Sequence, residues 1–205
     1  MPKKILTTFA LVLFIGQASS AGAQLPPGVY AGERDFKQAA AGRYGVDPDH
    51  TAVIAKVSHI GYALSVFRFD KVAGALTWDP TAPDKTTLKV SVDTASISTP
   101  VAGFAAELVG SGYLNSPAFP KATFVSTNFR EIDPTHGKVD GQFTLMGKTV
   151  PLTFDAELMG AGKGFGHPRI GVEATSKIDP RAFGLSPLLG TSILLVVDAE
   201  FAEGS

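Results

Sequence analysis

The sequence predicts an all-β protein, and three observations support that fold class. From about residue 43 onward, apolar and polar residues alternate with a period of two, which is typical of strands that bury one face. The 205 residues include 22 glycines and 14 prolines, enough for many tight turns. Fourteen phenylalanines beside one tryptophan supply the apolar rings of an interior. Short strands joined by turns around an apolar core follow from this composition.

The first 23 residues carry the features of an export signal. Lys3 and Lys4 give a positively charged start, residues 5–15 form an apolar run, and Ala21-Gly22-Ala23 has the small-x-small form that signal peptidase cuts. The apolar run is too short to cross a bilayer, which takes about 20 residues. We therefore expect a signal peptide over residues 1–23, cut after Ala23, and a periplasmic mature protein. An uncleaved N-terminal anchor is the alternative.

A flexible leader with one or two helical turns is expected over residues 24–41, followed by one β domain over residues 42–203. The clearest strand is 87–93, where Leu88, Val90 and Val92 share one face.

Residues 138–146 alternate in the same way, and the pattern resumes over 150–158 after Gly147-Lys148. This arrangement predicts a hairpin, with glycine at a position of positive φ.

The remaining elements follow the same logic. Only residues 101–109 read as a helix, with Phe104 and Leu108 on one side. Aspartate, proline and glycine mark the turns, one of them at 160–166. The domain is predicted to hold roughly eight or nine strands, and a barrel or a sandwich would satisfy this periodicity equally. The further strand candidates are 43–46, 51–60, 63–69, 72–78, 122–129, 169–177 and 192–201.

Charge and cysteine content exclude several classes of function. Eighteen basic residues against 19 acidic ones give a net charge of −1, so no basic surface for nucleic acid is expected. The absence of cysteine rules out disulfides, thiolate metal sites, cysteine nucleophiles and a lipid-modified N-terminal cysteine.

No catalytic or metal-binding motif stands out in the sequence. The four histidines, His50, His59, His136 and His167, are scattered and lack the spacing that would place two ligands side by side. Asp140, Asp155 and Glu157 lie on the polar faces of strands, which favours solvated surface charge.

His59 differs from the other histidines in the face that it occupies. It ends an alternating row of small residues, Thr51, Val53, Ala55 and Val57, which is expected to point inward. The ring is then either a core imidazole bonded to a backbone carbonyl or a polar group at the mouth of an apolar cavity.

Several short blocks resemble the YceI-like family of bacterial periplasmic proteins. The opening Tyr44-Gly45-Val46-Asp47-Pro48-Asp49-His50-Thr51 and then His59-Ile60-Gly61-Tyr62 are similar to the family's Tyr-x-x-Asp-x-x-His-Ser and His-x-Gly-Phe-Ser. Further blocks follow in family order, and the resemblance spans residues 43–201. These blocks are 96–99, 119–126, 141–149, 178–185 and the closing Ala199-Glu200.

The resemblance implies a lipocalin-like, extended antiparallel barrel whose internal pore holds a polyisoprenoid or similar amphiphile, without catalysis. The chain departs from the family pattern at several positions, which bear on pore width and ligand identity. Ala55 stands where phenylalanine is common, Ala63 replaces the serine, Phe67 replaces a glycine, and residues 104–108 keep only part of Arg-Asp-x-x-Leu.

Residue pattern and resemblance together lead to one hypothesis, a lipid-binding antiparallel barrel of about eight strands with one short helix. No cofactor is expected, and a polyisoprenoid, a quinone or a fatty amide is the candidate ligand. The expected partner is a small amphiphilic lipid, with no nucleic acid and no stable membrane insertion, and a homodimer is compatible with the sequence. The expected wall residues are Val57, Phe69, Trp78, Phe124, Phe143 and Phe183. The expected head-group contacts are His59, Tyr62 and Arg181, the last because guanidinium pairs with phosphate.

Two other classes of function stay open at this point. An enzyme acting on a lipid or quinone would use His59 or His50 as base, but no nucleophile or carboxylate is visible beside either histidine. A structural or partner-binding β domain would have a filled core. The small inward residues Ala55 and Gly141 argue against a filled core.

Overall fold

The computed structural model of the protein describes residues 25–204, so the expected signal peptide over residues 1–23 lies outside the described residues. Strands dominate, with two short α-helices, α1 (Phe104–Leu108) and α2 (Pro180–Phe183). No helix within the described part of the chain has the length and apolar character needed to cross a membrane. The strands are β1 (Gly42–Val46), β2 (Ala52–His59), β3 (Ala63–Phe69), β4 (Val72–Trp78), β5 (Thr87–Asp93), β6 (Ile97–Ser98), β7 (Lys121–Asp133), β8 (His136–Leu145), β9 (Lys148–Gly162), β10 (Arg169–Ile178) and β11 (Ile193–Glu203).

The sheet closes on itself as an antiparallel barrel. Its order is β1-β4-β5-β7-β8-β9-β10-β11, and β11 pairs again with β1. Short breaks separate β1 from β2, β3 from β4 and β5 from β6. The two segments of each pair are consecutive parts of a single barrel strand. Eight barrel strands result, as in barrels that hold one small ligand. The predicted all-β barrel is confirmed, and closure decides against a sandwich.

The barrel has two distinct ends. The helical end carries the turn at 60–62, the α1 segment 99–120, the β8–β9 turn and the α2 segment 179–192. The leader end carries residues 25–41 and the loops 79–86, 134–135 and 163–168. Strands run alternately between these ends, so each inward row of side chains connects one end to the other.

The β8–β9 hairpin forms as predicted. Met146 and Gly147 have φ values of 49° and 73°, which is the left-handed pair that a two-residue hairpin turn requires. A Cβ at Gly147 would also meet the Phe119 ring at 2.9 Å, so glycine is needed there for space as well as for conformation.

The leader contacts the barrel, at Glu33 and at Phe36. Glu33 pairs with Ala161 through two backbone hydrogen bonds of 2.8 and 2.9 Å, and the expected helical turn is a 3₁₀ turn at Phe36–Gln38. Phe36 is buried against Trp78, with ring centroids 5.7 Å apart. Burial of Phe36, together with that of Ala39 in the same core cluster, explains why a polar, proline-rich segment docks on the leader end.

Other differences from the predictions have local causes. Helix α1 begins at Phe104 rather than at residue 101, because Gly103 before it has a φ of 79°. Strand β9 runs to Gly162, through the start of the predicted turn at 160–166, because β10 pairs with it as far as Gly162 and the leader pairs with Ala161. Helix α2 was not predicted, although Asp179 caps it, Pro180 begins it and Gly184 ends it with a φ of 83°.

Candidate functional site

An apolar cavity of about 250 Å³ runs along the inside of the barrel. It exceeds the roughly 150 Å³ of an apolar cavity that stays dry and binds benzene. Among the described residues that line it, none is Lys, Arg, Asp or Glu, and only His136 is titratable. Such a surface favours an apolar ligand, because an ionised group inside it would lose hydration without gaining a partner.

The middle of the cavity is lined by small and β-branched residues. Ala156 and Ala174 lie side by side in the β9–β10 register, and both line the cavity. Buried aromatic rings lie on either side of this narrow set of side chains, Phe124 and Phe154 toward the helical end and Trp78 and Phe36 toward the leader end. The valines of the middle section are only partly buried, and they are Val53, Val90, Val139, Val172 and Val197.

The two ends of the cavity differ. At the helical end its lining residues Leu114, Leu185 and Ile193 are all buried. At the leader end its lining includes His136, whose side chain is 48% exposed, and the half-buried Thr135. The cavity therefore approaches the protein surface beside the β7–β8 turn, and apolar side chains close the opposite end.

The predicted wall residues divide into two groups. Phe69, Trp78, Phe124 and Phe143 line the cavity. Val57 and Phe183 are buried in the core at the helical end without lining it. Phe183 lies edge-on against Phe143, with ring centroids 5.4 Å apart, and so positions a lining residue.

The three predicted head-group residues lie outside the cavity. His59 and Tyr62 are exposed at the β2–β3 turn, Tyr62 to 89%. The Arg181 guanidinium is held by Asp179, with hydrogen bonds of 2.9 Å from Nε to Oδ1 and 2.7 Å from Nη2 to Oδ2. The inward row before His59 lines the cavity at Thr51, Val53 and Ala55 and is still buried at Val57. Strand β11 pairs with β2 only as far as Val57, so His59 lies beyond that pairing and is exposed.

The sequence did not predict two polar residues that line the cavity near the leader end, Thr86 and Ser126. Thr86 precedes the inward row Leu88, Val90 and Val92, and Ser126 follows Phe124 on its own row. Extending each inward row by one alternating step would have found both. Ser126 accepts a hydrogen bond from the Leu88 backbone N–H at 2.7 Å.

Gly141 does not enlarge the cavity as its size suggested. A Cβ there would lie 2.5 Å from the Val125 carbonyl oxygen and closer still to the Phe124 ring. The phenylalanine therefore occupies the space that the missing side chain leaves.

A charged cluster ties the β1–β2 junction to strands β10 and β11. Arg169 Nη1 donates to Asp47 at 2.8 Å and also pairs with Glu200. The Arg169 hydrogen bond is the main cause that holds the pKa of Asp47 below its ordinary value. Arg169 is the strand neighbour of the cavity-lining Ile170, so the cluster lies on the outer face of the barrel.

Asp140 provides a pH-dependent prediction on the outer face. Arg130 holds its carboxylate with two hydrogen bonds of 2.8 and 2.9 Å, Thr153 adds one of 2.7 Å, and these lower the pKa of Asp140 to about 2. Because the folded pKa lies below the ordinary 3.8, the contribution to stability is present above pH 3.8 and is lost as pH falls toward 2. A carboxyl ¹³C NMR titration should show an Asp140 midpoint near pH 2.

The matched variant for that titration is Arg130→Gln. It should move the Asp140 midpoint up toward 3.8, since the guanidinium is the largest cause of the lowered pKa. An unchanged midpoint would show that Arg130 does not set this pKa.

Comparison with known proteins agrees with this architecture. Residues 44–201 match the family described as YceI-like domain. A UPF0312 protein of Pseudomonas putida (strain W619) is 33% identical over 164 residues, covering 78% of this chain and 85% of the relative. A protein called YceI from Salmonella arizonae is 32% identical over 168 residues, covering 79% of this chain and 87% of the relative.

Solved structures share the barrel. The crystal structure of Burkholderia cenocepacia BcnA superposes with a TM-score of 0.68 at 18% identity, covering 76% of this chain and 98% of that one. A domain from Saccharophagus degradans, described as polyisoprenoid binding, superposes with a TM-score of 0.58 at 13% identity, covering 78% of this chain and 97% of that one. On the match over residues 44–201 and the relative at 33% identity, the chain belongs to the YceI-like domain family.

Proposed function

We propose that the protein binds one long-chain polyisoprenoid or similar amphiphilic lipid inside its barrel and carries or stores it in the periplasm. The observation that carries this proposal is the cavity itself, which runs between the two aromatic clusters and is lined almost wholly by apolar side chains. Burying a methylene is worth roughly 0.8 kcal/mol, so about ten carbons supply up to ~8 kcal/mol before ordering costs.

Two further lines of support come from relatives and from sequence. The Saccharophagus degradans domain of similar fold is described as polyisoprenoid binding. The charged start, apolar run and Ala21-Gly22-Ala23 support export to the periplasm. A chain without cysteine needs no oxidising enzyme to fold there.

Neither of the two histidines that the sequence offers as a base, His50 and His59, is placed to act on a lipid bound in the cavity. Neither His50 nor His59 lines the cavity, and the His50 side chain is 57% exposed beside Asp47. A base acting on a bound lipid must come within hydrogen-bond reach of the reacting atom.

Retention of a tritium-labelled long-chain prenol tests the proposal. Protein prepared without detergent is incubated with the prenol and passed through a gel-filtration column. We expect about one prenol per chain to elute with the protein, whereas a five-carbon prenol, with little surface to bury, should elute free. Elution of the long-chain prenol entirely apart from the protein would contradict lipid binding.

A further inference from the structure

The two ends of the barrel differ in charge. In the segments that form the helical end, the charged residues are Glu107 and the paired Asp179 and Arg181. The segments of the leader end carry more charge, at Glu33, Arg34, Asp35, Lys37, Asp79, Asp84, Lys85 and Lys163. The helical end is therefore the end that loses less hydration energy when it leaves water.

Exposed apolar side chains project from the turns of the helical end. Ile60 and Tyr62, in the β2–β3 turn, are 82% and 89% exposed, and Leu188, in the 3₁₀ turn Pro187–Leu189, is 89% exposed. The first turn follows β2, the second precedes β11, and these two strands pair, so the turns are neighbours. Burial of these side chains on a partner would be favourable.

Hydrogen bonds fix both turns. Ser58 Oγ accepts from the Gly61 N–H at 3.2 Å, and Ser186 Oγ accepts from the Leu188 N–H at 3.2 Å. Leu189, next to the exposed Leu188, packs on the core cluster of the helical end. The exposure of the apolar side chains therefore belongs to ordered turns.

Ile60 occupies a backbone conformation that disfavours isoleucine. Its φ is 53° and that of Gly61 is 82°, the left-handed pair of a two-residue hairpin turn. Asn, Asp or Gly is the ordinary choice at the first of these positions, and a β-branched residue there is strained. Because the side chain is also exposed, it gains little from packing in the barrel. A strained, exposed isoleucine indicates a contact with a partner.

A lipid surface fits this end better than a protein surface does. Protein interfaces bury closely packed patches, whereas Ile60 and Leu188 project singly from separate turns. A bilayer interface accommodates separate apolar projections and favours tyrosine at the level of the head groups. The leader end also exposes apolar residues, but Ile132 there lies between Glu131 and Asp133, whose charges would resist entry into lipid.

We propose that the helical end docks peripherally on a bilayer surface, with Ile60, Tyr62 and Leu188 entering the interfacial region. Leu114 of the α1 segment and Leu185 of the α2 segment close the cavity at this same end. Docking therefore brings the residues that close the cavity to the membrane, where a lipid would be taken up or released. Only this uptake or release rests on the proposed lipid-binding function.

Sedimentation with sucrose-loaded phosphatidylcholine vesicles tests the docking. The protein comes from the periplasmic fraction, and its intact mass shows that residues 1–23 are absent. We expect it to sediment with these neutral vesicles in low and in high salt, because the contacts are apolar. Leu188→Ser and Ile60→Asn should each lower the partition coefficient about 3- to 10-fold. Ile132→Ser, at the exposed isoleucine of the leader end, is the matched control and should leave it unchanged.

The Ile60→Asn variant also separates membrane contact from a role in the fold. Asparagine tolerates a positive φ, so this change should raise the urea midpoint of unfolding while it weakens vesicle binding. A lowered midpoint with unchanged vesicle binding would mean that Ile60 serves the fold instead.

Three further results would overturn the docking. One is absence of binding to phosphatidylcholine vesicles. Another is binding that is confined to phosphatidylglycerol vesicles and abolished by salt, which would assign it to the exposed Lys148 and Lys177 on adjoining strand ends. The third is a dimer in sedimentation equilibrium that Leu188→Ser dissociates, without vesicle binding.

Retention of the labelled long-chain prenol on gel filtration distinguishes docking from lipid binding. Neither Ile60 nor Leu188 lines the cavity, so both variants should retain the prenol as the unaltered protein does. Vesicle binding by an unaltered protein that retains no prenol would overturn the proposed lipid-binding function and leave the docking in place.

Discussion

Replacing Ala174 with tryptophan should lower retention of the long-chain prenol by at least about tenfold. Ala174 lies beside Ala156 on the wall of the middle of the cavity, where the lining side chains are small. An indole there would occupy the path of the apolar chain and remove the contact surface of several methylenes, each worth roughly 0.8 kcal/mol. Gel filtration with the labelled prenol measures the effect.

Thr175→Trp is the matched control for this blocking variant. Thr175 is the neighbour of Ala174 on β10 and does not line the cavity, so the same indole would project from the outer face. Its prenol retention should equal that of the unaltered protein. Full retention by Ala174→Trp would mean that the lipid does not lie in the barrel.

Replacing Gly141 with alanine should destabilise the barrel by about 2–3 kcal/mol, the upper range for overpacking a core. The added Cβ would lie 2.5 Å from the Val125 carbonyl oxygen, and this backbone atom cannot move without disturbing the β7–β8 ladder. Urea unfolding followed by the fluorescence of Trp78, the single tryptophan, gives the free energy of unfolding.

Gly112→Ala is the control for the stability measurement. A Cβ at Gly112 would meet nothing within 4 Å, so this change should alter the free energy of unfolding by less than about 0.5 kcal/mol. Equal stability of Gly141→Ala and the unaltered protein would contradict the tight packing of Phe124 on the glycine.

Alternation along the chain predicts most of the strands and the inward faces of several of them. Leu88, Val90 and Val92 line the cavity as their period of two indicates, and Gly147 takes the positive φ that the hairpin requires. Closure into a barrel rests on long-range pairing, such as that of Tyr44 with Glu203, and local periodicity contains no information about it.

The position of a residue along the barrel axis was harder to predict. His59, Tyr62 and Arg181 follow inward rows or turns in the sequence, yet all three lie at the outer rim of the helical end. A period of two specifies which face a side chain occupies, but not where the strand leaves the barrel. The role of these residues as ligand contacts stays a prediction.

The leader illustrates a second limit of local reasoning. Its proline-rich, polar composition indicates flexibility, but Phe36 and the backbone pairing of Glu33 with Ala161 attach it to strands far away in the sequence. A close approach of backbones makes this docking specific, since a Cβ at Gly32 would lie 2.9 Å from the Gly160 Cα.

Mass spectrometry of solvent extracts tests the central claim most directly. The protein is purified without detergent from the periplasmic fraction of a bacterium that expresses the full chain, and the Ala174→Trp variant is purified in parallel. We expect about one molecule of a prenyl lipid, quinone or fatty amide per chain of the unaltered protein, and little from the variant. Repeated extracts without any stoichiometric lipid, or equal amounts of lipid from both proteins, would contradict a lipid-binding cavity inside the barrel.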